Sequence, residues 1–226
     1  PTRLIFGRGV VSEKLASVMN QYGKRVLITY GGGSIKRTAP GHDKSLYDLV
    51  KDTLTDKQVF ELGGIQPNPK FNPSVLDGVR MCQDNDIDVI LAVGGGSVLD
   101  CTKAIAGVAG TLKTKVTDNV EEAWDIVCGR KPTTAAVPIV DIITMAATGS
   151  EYDMGGVISR TETNDKLAYF SKLVFPAVSF IDPTYTFTLP SACFSQAPPT
   201  ASTTSFTFEV SSSVKVRTAY ASDASL

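Results

Sequence analysis

The tetrapeptide Gly-Gly-Gly-Ser occurs twice in this chain, at residues 31–34 and 94–97, each time directly behind an apolar run. Flexible linkers also use glycine and serine, but they do not usually join a buried strand to a helix. "KRVLITY" (24–30) is a short β-rich run that ends in the first loop. "IDVILAV" (87–93) is nearly continuous in apolar residues, the pattern of a strand buried on both faces of a parallel sheet. Behind the second loop, "SVLDCTKAIAGVAG" (97–110) sets Val98, Cys101, Ile105 and Val108 at helical spacing. Strand, glycine loop and helix start together form an arrangement in which backbone N–H groups and a helix N-terminus receive a phosphate.

The rest of the chain continues the alternation. "HDKSLYDLVKDTL" (42–54) spaces Leu46, Leu49, Val50 and Leu54 as a helix, and "KQVFELGG" (57–64) reads as a strand stopped by Gly63-Gly64. "NPSVLDGVRMCQDN" (72–85) predicts a helix with Asn72 as N-cap, Pro73 in its first turn and an apolar face of Val75, Leu76, Val79 and Met81-Cys82. "AAVPIVDII" (135–143) and "AVSFIDP" (177–183) are strand-like, and "GGVISRTETNDKLAYFS" (155–171) reads as a β-hairpin with a polar tip. Alternating strands and helices predict an α/β fold, a Rossmann-like parallel sheet with flanking helices, over residues 1–190. Residues 191–226 differ: 14 of these 36 are Ser or Thr and none of the periodicity persists. This segment is expected to be disordered or foreign to the fold.

Composition excludes several chemistries. The 22 basic and 23 acidic residues give a net charge of −1, which offers nothing to nucleic acid or to an anionic membrane surface. No apolar run approaches the roughly 20 residues of a membrane span. Nothing at the amino end reads as a signal peptide, and a chain that opens on Pro1 is expected to lack its natural start. Cys82, Cys101, Cys128 and Cys193 form no CxxC pair and read as buried thiols of a reducing cytoplasm. His42, the only histidine, rules out a catalytic triad or a multi-histidine metal site within this chain, and its turn-rich setting reads as a solvated loop.

The two loops differ in the residues directly behind them. "GGGSIKRT" continues into Lys36 and Arg37, and no acidic residue closes its strand to hold the free ribose hydroxyls of NAD. The first loop therefore suits the 2′-phosphate of NADP, and the second the pyrophosphate. Neither matches G-x-G-x-x-G or a Walker A loop, so a purely structural turn remains the alternative.

"PTRLIFGRG", "GGIQPNP", "GGGSVLDCTKAIA", "TMAATGSE", "ISRTETNDK" and "DPTYTFTLP", in this order from Pro1 to Pro190, resemble the iron-containing (group III) alcohol dehydrogenases, in the NADPH-dependent aldehyde reductase and butanol dehydrogenase branch. The resemblance implies the dehydroquinate synthase-like architecture: an N-terminal α/β domain for NAD(P)H and a C-terminal all-helical domain holding a divalent metal, iron or zinc. It implies hydride transfer between a primary alcohol and its aldehyde, in a cytoplasmic homo-oligomer, with NADP(H) preferred over NAD(H). By the same resemblance, Gly32, Gly33 and Ser34 would meet the adenosine ribose and its 2′-phosphate. Gly94, Gly95, Gly96 and Ser97 would hold the pyrophosphate. Asp100 would lie near the nicotinamide ribose, although it is also a first-turn acid favoured by the helix dipole. Thr144, Thr148 and Ser150 would line the nicotinamide region, or simply cap local backbone. Asn68 would face the adenosine side, and is equally a turn former between prolines. Lys166 would reach the ribose or phosphate, or stand solvated on its hairpin. Tyr185 would pack near the cofactor.

The chain departs from the family after Leu189-Pro190. There the family carries the first two of its ligands, one Asp and three His in all, on an N-G-x-x-D-A-x-x-H helix; here the sequence is "SACFSQAPPTASTTSFTFEVSSS", with no histidine. Catalytic residues cannot be assigned and no metal ligand is present. The expectation is a truncated, frameshifted or mis-spliced reading that keeps the cofactor half and is inactive alone. The competing reading is a non-catalytic nucleotide-binding or regulatory module. A glycerol-type or dehydroquinate synthase-like relative is disfavoured by "YGGGSIKRT" and "DPTYTFTLP". Without its helical half the chain is expected to expose apolar surface and self-associate.

Overall fold

A computed structural model describes residues 2–145 and 147–186, together with two strands at 206–210 and 214–218. The chain begins with β1 (Arg3–Phe6), α1 (Val10–Met19), β2 (Arg25–Tyr30), α2 (Leu46–Thr53) and β3 (Gln58–Leu62). It continues with α3 (Leu76–Asp84), β4 (Val89–Gly94), α4 (Gly96–Thr111), α5 (Val120–Val127) and β5 (Ile139–Ile143). The hairpin β6 (Gly155–Arg160) and β7 (Asp165–Phe170) comes next, then β8 (Val178–Ile181). The strands β9 (Phe206–Val210) and β10 (Val214–Thr218) form a separate antiparallel pair. The chain divides between Thr188 and Leu189, and the rest of the expected disordered segment 191–226 lies outside the described residues.

Six parallel strands form one sheet in the order β1-β8-β5-β4-β2-β3. Register brings their carboxyl ends to a common edge: Tyr30 lies opposite Val93, Gly94 opposite Ile143, and both Ile143 and Phe6 opposite Ile181. Both glycine loops therefore emerge side by side from adjacent strands. The apolar runs are continuous because each strand of the sheet interior is covered twice. Leu27, Ile90, Ala92, Ile139 and Ile143 pack toward α3, α4 and α5, while Val26, Ile28, Leu91, Val93, Ile142 and Phe180 pack toward α1 and α2.

Boundaries shift from the sequence reading for local reasons. The helix expected from residue 42 begins at Leu46, because the Ser45 hydroxyl accepts from the Asp48 N–H at 3.0 Å and caps it there. Asn72 does not cap its helix. It is extended (φ −110°, ψ 124°) ahead of a cis bond to Pro73, inside a π-turn over Phe71–Val75. Its side-chain amide instead donates to Glu162 Oε1 at 2.9 Å. The reading also passed over β1, α1 and α5, although Val10, Val11, Leu15, Val18 and Met19 repeat at helical spacing and are all buried. Cys82 and Cys101 are buried and free, and burial pushes the Cys82 thiol up to about 12. Among the described residues no helix is long and apolar enough to cross a membrane.

Candidate functional site

The first loop leaves β2 at Tyr30 and turns through Gly31–Gly33 into a 3₁₀ turn over Ser34–Lys36. Gly33 has φ +94°, a left-handed conformation that L side chains rarely adopt. The β-carbon positions of Gly32 and Gly33 face open space, with no heavy atom within 4 Å. The inner side of the loop is pinned: Gly64 N–H donates to Gly31 O at 3.0 Å, and Ile65 N–H to Tyr30 O at 3.2 Å. Ser34 is exposed at the head of the turn.

Behind it, Lys36 Nζ lies 5.0 Å from the ring centre of Tyr30 and 4.6 Å from that of Tyr47. The hydrogen bond to Tyr30 raises the Lys36 pKa and holds it charged. Both phenols reach Glu61 on β3, at 3.2 and 2.9 Å, and Lys51 Nζ meets the same carboxylate at 2.7 Å. Burial pushes the Glu61 carboxyl up, and hydrogen bonds from Lys51 and Tyr47 more than reverse it. The acid on the neighbouring strand is thus already paired, while Lys36 stays cationic behind the loop.

The second loop runs from Gly94 through Gly95 into α4. Gly95 stands at the N-cap of this helix with no side-chain cap, and the positive end of a 16-residue helix faces the strand edge. The segment after β5 lies against it. Thr144 N–H donates to Gly94 O at 2.9 Å, and a β-carbon on Gly96 would stand 2.8 Å from Thr148 Oγ1. One turn into α4, Asp100 Oδ1 accepts from Ser150 Oγ at 2.9 Å and Oδ2 from Val157 N–H at 3.0 Å. Burial raises the Asp100 pKa above its usual value, against these two donors.

The structure thus brings Gly94–Ser97, Asp100, Thr144, Thr148 and Ser150 together, beside Gly32–Ser34. Asn68 and Lys166 form a pair of their own: Lys166 Nζ donates to Asn68 Oδ1 at 2.8 Å, in a cleft of about 280 Å³ shared with Lys70, Ser159 and Arg160. Tyr185 is buried behind β8, its phenol pushed up to about 12 by burial. It stacks on His42, ring centres 4.4 Å apart. His42 is therefore half-buried against an aromatic ring and not the solvated loop residue expected from its neighbours. The sequence reading missed Lys103, Asp153 and the Tyr47–Glu61 pair. Lys103 alone left a signal, as the one cation of α4.

A larger cleft of about 370 Å³, lined by Cys82, Ile87, Leu112 and Lys113, opens where β4 begins, away from both glycine loops. Among the described residues no three His, Cys, Asp or Glu side chains come together as a metal site. A catalytic metal does not fit them. A dinucleotide does: two open glycine loops, an uncapped helix N-terminus and exposed hydroxyls supply donors for anionic oxygens.

Sequence comparison places residues 1–183 within the model of a family described as iron-containing alcohol dehydrogenase. The chain is 47% identical over 192 residues to the probable NADH-dependent butanol dehydrogenase 1 of Bacillus subtilis, covering 84% of this chain and 46% of that one. It is 40% identical over 190 residues to the NADPH-dependent aldehyde reductase YqhD of Escherichia coli, with the same coverage. The crystal structure of NADH-dependent butanol dehydrogenase A from Thermotoga maritima superposes with a TM-score of 0.74 at 36% identity, over 85% of this chain and 45% of that one. The chain spans about half the length of the relatives it matches.

Proposed function

The chain belongs to the iron-containing alcohol dehydrogenase family, and on that premise we propose that it is the NADP(H)-binding half of an alcohol dehydrogenase or aldehyde reductase. The observation that carries this reading is the pair of glycine loops emerging side by side from β2 and β4. Gly32, Gly33 and Ser34 take the adenosine ribose with its 2′-phosphate, and Lys36 and Arg37 supply positive charge. Gly94–Ser97 and the start of α4 take the pyrophosphate. Asp100, Thr144, Thr148 and Ser150 orient the nicotinamide side, while Asn68, Lys166 and Tyr185 flank the cofactor. When bound, the nicotinamide supplies the hydride chemistry, and these residues bind and orient it.

The substrate class is a small aldehyde or primary alcohol, and the free thiols suit the cytoplasm. The whole enzyme is a homo-oligomer whose metal is held by residues outside those described. The preference for NADP(H) is the finer part of the reading, because the relatives are named for NADH as well as NADPH. It rests on the paired Glu61 and the cations beside the first loop.

Titration of the purified chain with NADPH and NADH, followed by nicotinamide fluorescence, tests it. Saturable binding that prefers NADPH is expected. Ser34→Ala should weaken NADPH by about tenfold and leave NADH unchanged. Equal loss of both cofactors would remove the 2′-phosphate assignment, and no binding to either would remove the reading.

A second reading is a nucleotide-binding module without catalysis of its own. It is favoured by the lack of a metal-binding trio among the described residues. Turnover of an aldehyde by this chain with added divalent metal would exclude it.

A further inference from the structure

Lys103 lies on α4 among Cys101, Ala104, Ile105 and Ala106, and its side chain is entirely shielded from solvent. An ammonium in such a place is costly unless every N–H finds an acceptor. All three do. Nζ donates to the Asp153 carboxylate, to Ser150 Oγ at 3.0 Å and to Gly155 O at 2.7 Å. Because Lys103 occupies a lone pair of Ser150, the serine proton is directed to Asp100 Oδ1 at 2.9 Å. The second Asp100 oxygen accepts from Val157 N–H at 3.0 Å.

One ammonium therefore joins α4 to a stretch some 50 positions on, from Ser150 at the end of the segment after β5 to Gly155 at the start of β6. A buried ion pair often contributes no more to stability than well-packed apolar groups in place of both partners. What the ammonium adds is a single arrangement of its partners. We propose that Lys103 is a positioning residue for the nicotinamide half of the cofactor site, acting through Ser150 and Asp100. This inference rests on the cofactor reading above.

The geometry makes the effect one-sided. The first glycine loop is held by Gly64, Ile65, Tyr30 and the Lys36 contacts with Tyr30 and Tyr47, none of which involves Lys103. The segment carrying Thr148 and Ser150 is held against α4 in part through Lys103 itself. Losing the ammonium frees the nicotinamide side and leaves the adenosine side in place.

The test uses the full 226-residue chain and two probes, NADPH and adenosine 2′,5′-bisphosphate, which lacks the nicotinamide half. Both affinities are measured by calorimetry. Lys103→Met is expected to bind NADPH about tenfold or more weakly and adenosine 2′,5′-bisphosphate within about twofold of the parent. A folded Lys103→Met chain that keeps its NADPH affinity overturns the inference. So does parallel loss of both ligands, the mark of a merely structural role. If near-ultraviolet dichroism shows that Lys103→Met does not fold, Ser150→Ala decides. It breaks the same relay without removing the lysine: the same split supports the inference, and unchanged NADPH binding overturns it. A parent chain that binds neither probe overturns the cofactor reading itself, a pattern distinct from any of these.

Discussion

At Gly156 a β-carbon would lie 2.8 Å from the Cα of Asp100, so the hairpin rests on α4 with no room for a side chain. Backbone cannot yield there as a flexible side chain can. Gly156→Ala should lift β6 off the helix, break the Val157–Asp100 hydrogen bond and cost about 1–3 kcal/mol. A urea midpoint unchanged from the parent would contradict this. Single residues were legible where local backbone dictates them, as at Gly33 with its positive φ. They were not legible where the partner is remote. Ser150 and Asp153 lie 47 and 50 positions from Lys103, and His42 meets Tyr185 from the far side of the fold. No window along the chain contains such pairs.

Among the elements, β5 carries an acid where a strand of the sheet interior should have none. Asp141 is fully buried, and its carboxylate faces Ser179 Oγ. The Ser179 hydroxyl also contacts Glu151 O at 2.7 Å, and a carbonyl can only accept. The single serine proton goes there, so the proton between Ser179 and Asp141 belongs to the carboxyl. Burial raises the Asp141 pKa well above its usual 3.8, in keeping with a carboxyl that keeps its proton. A raised folded-state pKa contributes stability that is fully present below the unfolded value and is lost as pH rises through the folded one. Asp141→Asn should therefore flatten the decline of Tm from acid to alkaline pH. Parallel Tm–pH curves for variant and parent would refute the assignment.

Element types were readable because the two sheet faces and the helices have different periods. The strands flanking both glycine loops and the helix behind the second lie within a few residues of their expected positions. α4 was read as having one inward face, yet Val98 through Val108 are buried all round except at half-buried Asp100, because the hairpin covers the side that a surface helix would leave open.

On the scale of the molecule, the chain is a family member that spans about half the length of the relatives it matches. No three potential ligands converge among its described residues. Purified alone, it should therefore show no aldehyde turnover with added iron or zinc while still binding NADPH. Measurable metal-dependent turnover would require ligands outside the described residues. The described surface also leaves Phe6, Phe170 and Leu173 more than half exposed, at 51, 66 and 51%. Concentration-dependent self-association should appear in sedimentation velocity. A single monomeric species at high concentration would count against it.

The sequence by itself determined the alternation of strands and helices around both glycine loops, the parallel sheet and the place of the loops, since periodicity and backbone freedom are local properties of the chain; β1, α1 and α5 came only with the structure. It also carried the family, through motifs in an unbroken order. Only the tertiary structure decided which polar groups are paired in the interior. Lys103 with Ser150 and Asp153, Asp141 with Ser179, and Glu61 with its two phenols and Lys51 are each assembled from separate elements. Whether a buried charge is tolerated depends on partners that only folding brings within hydrogen-bond distance.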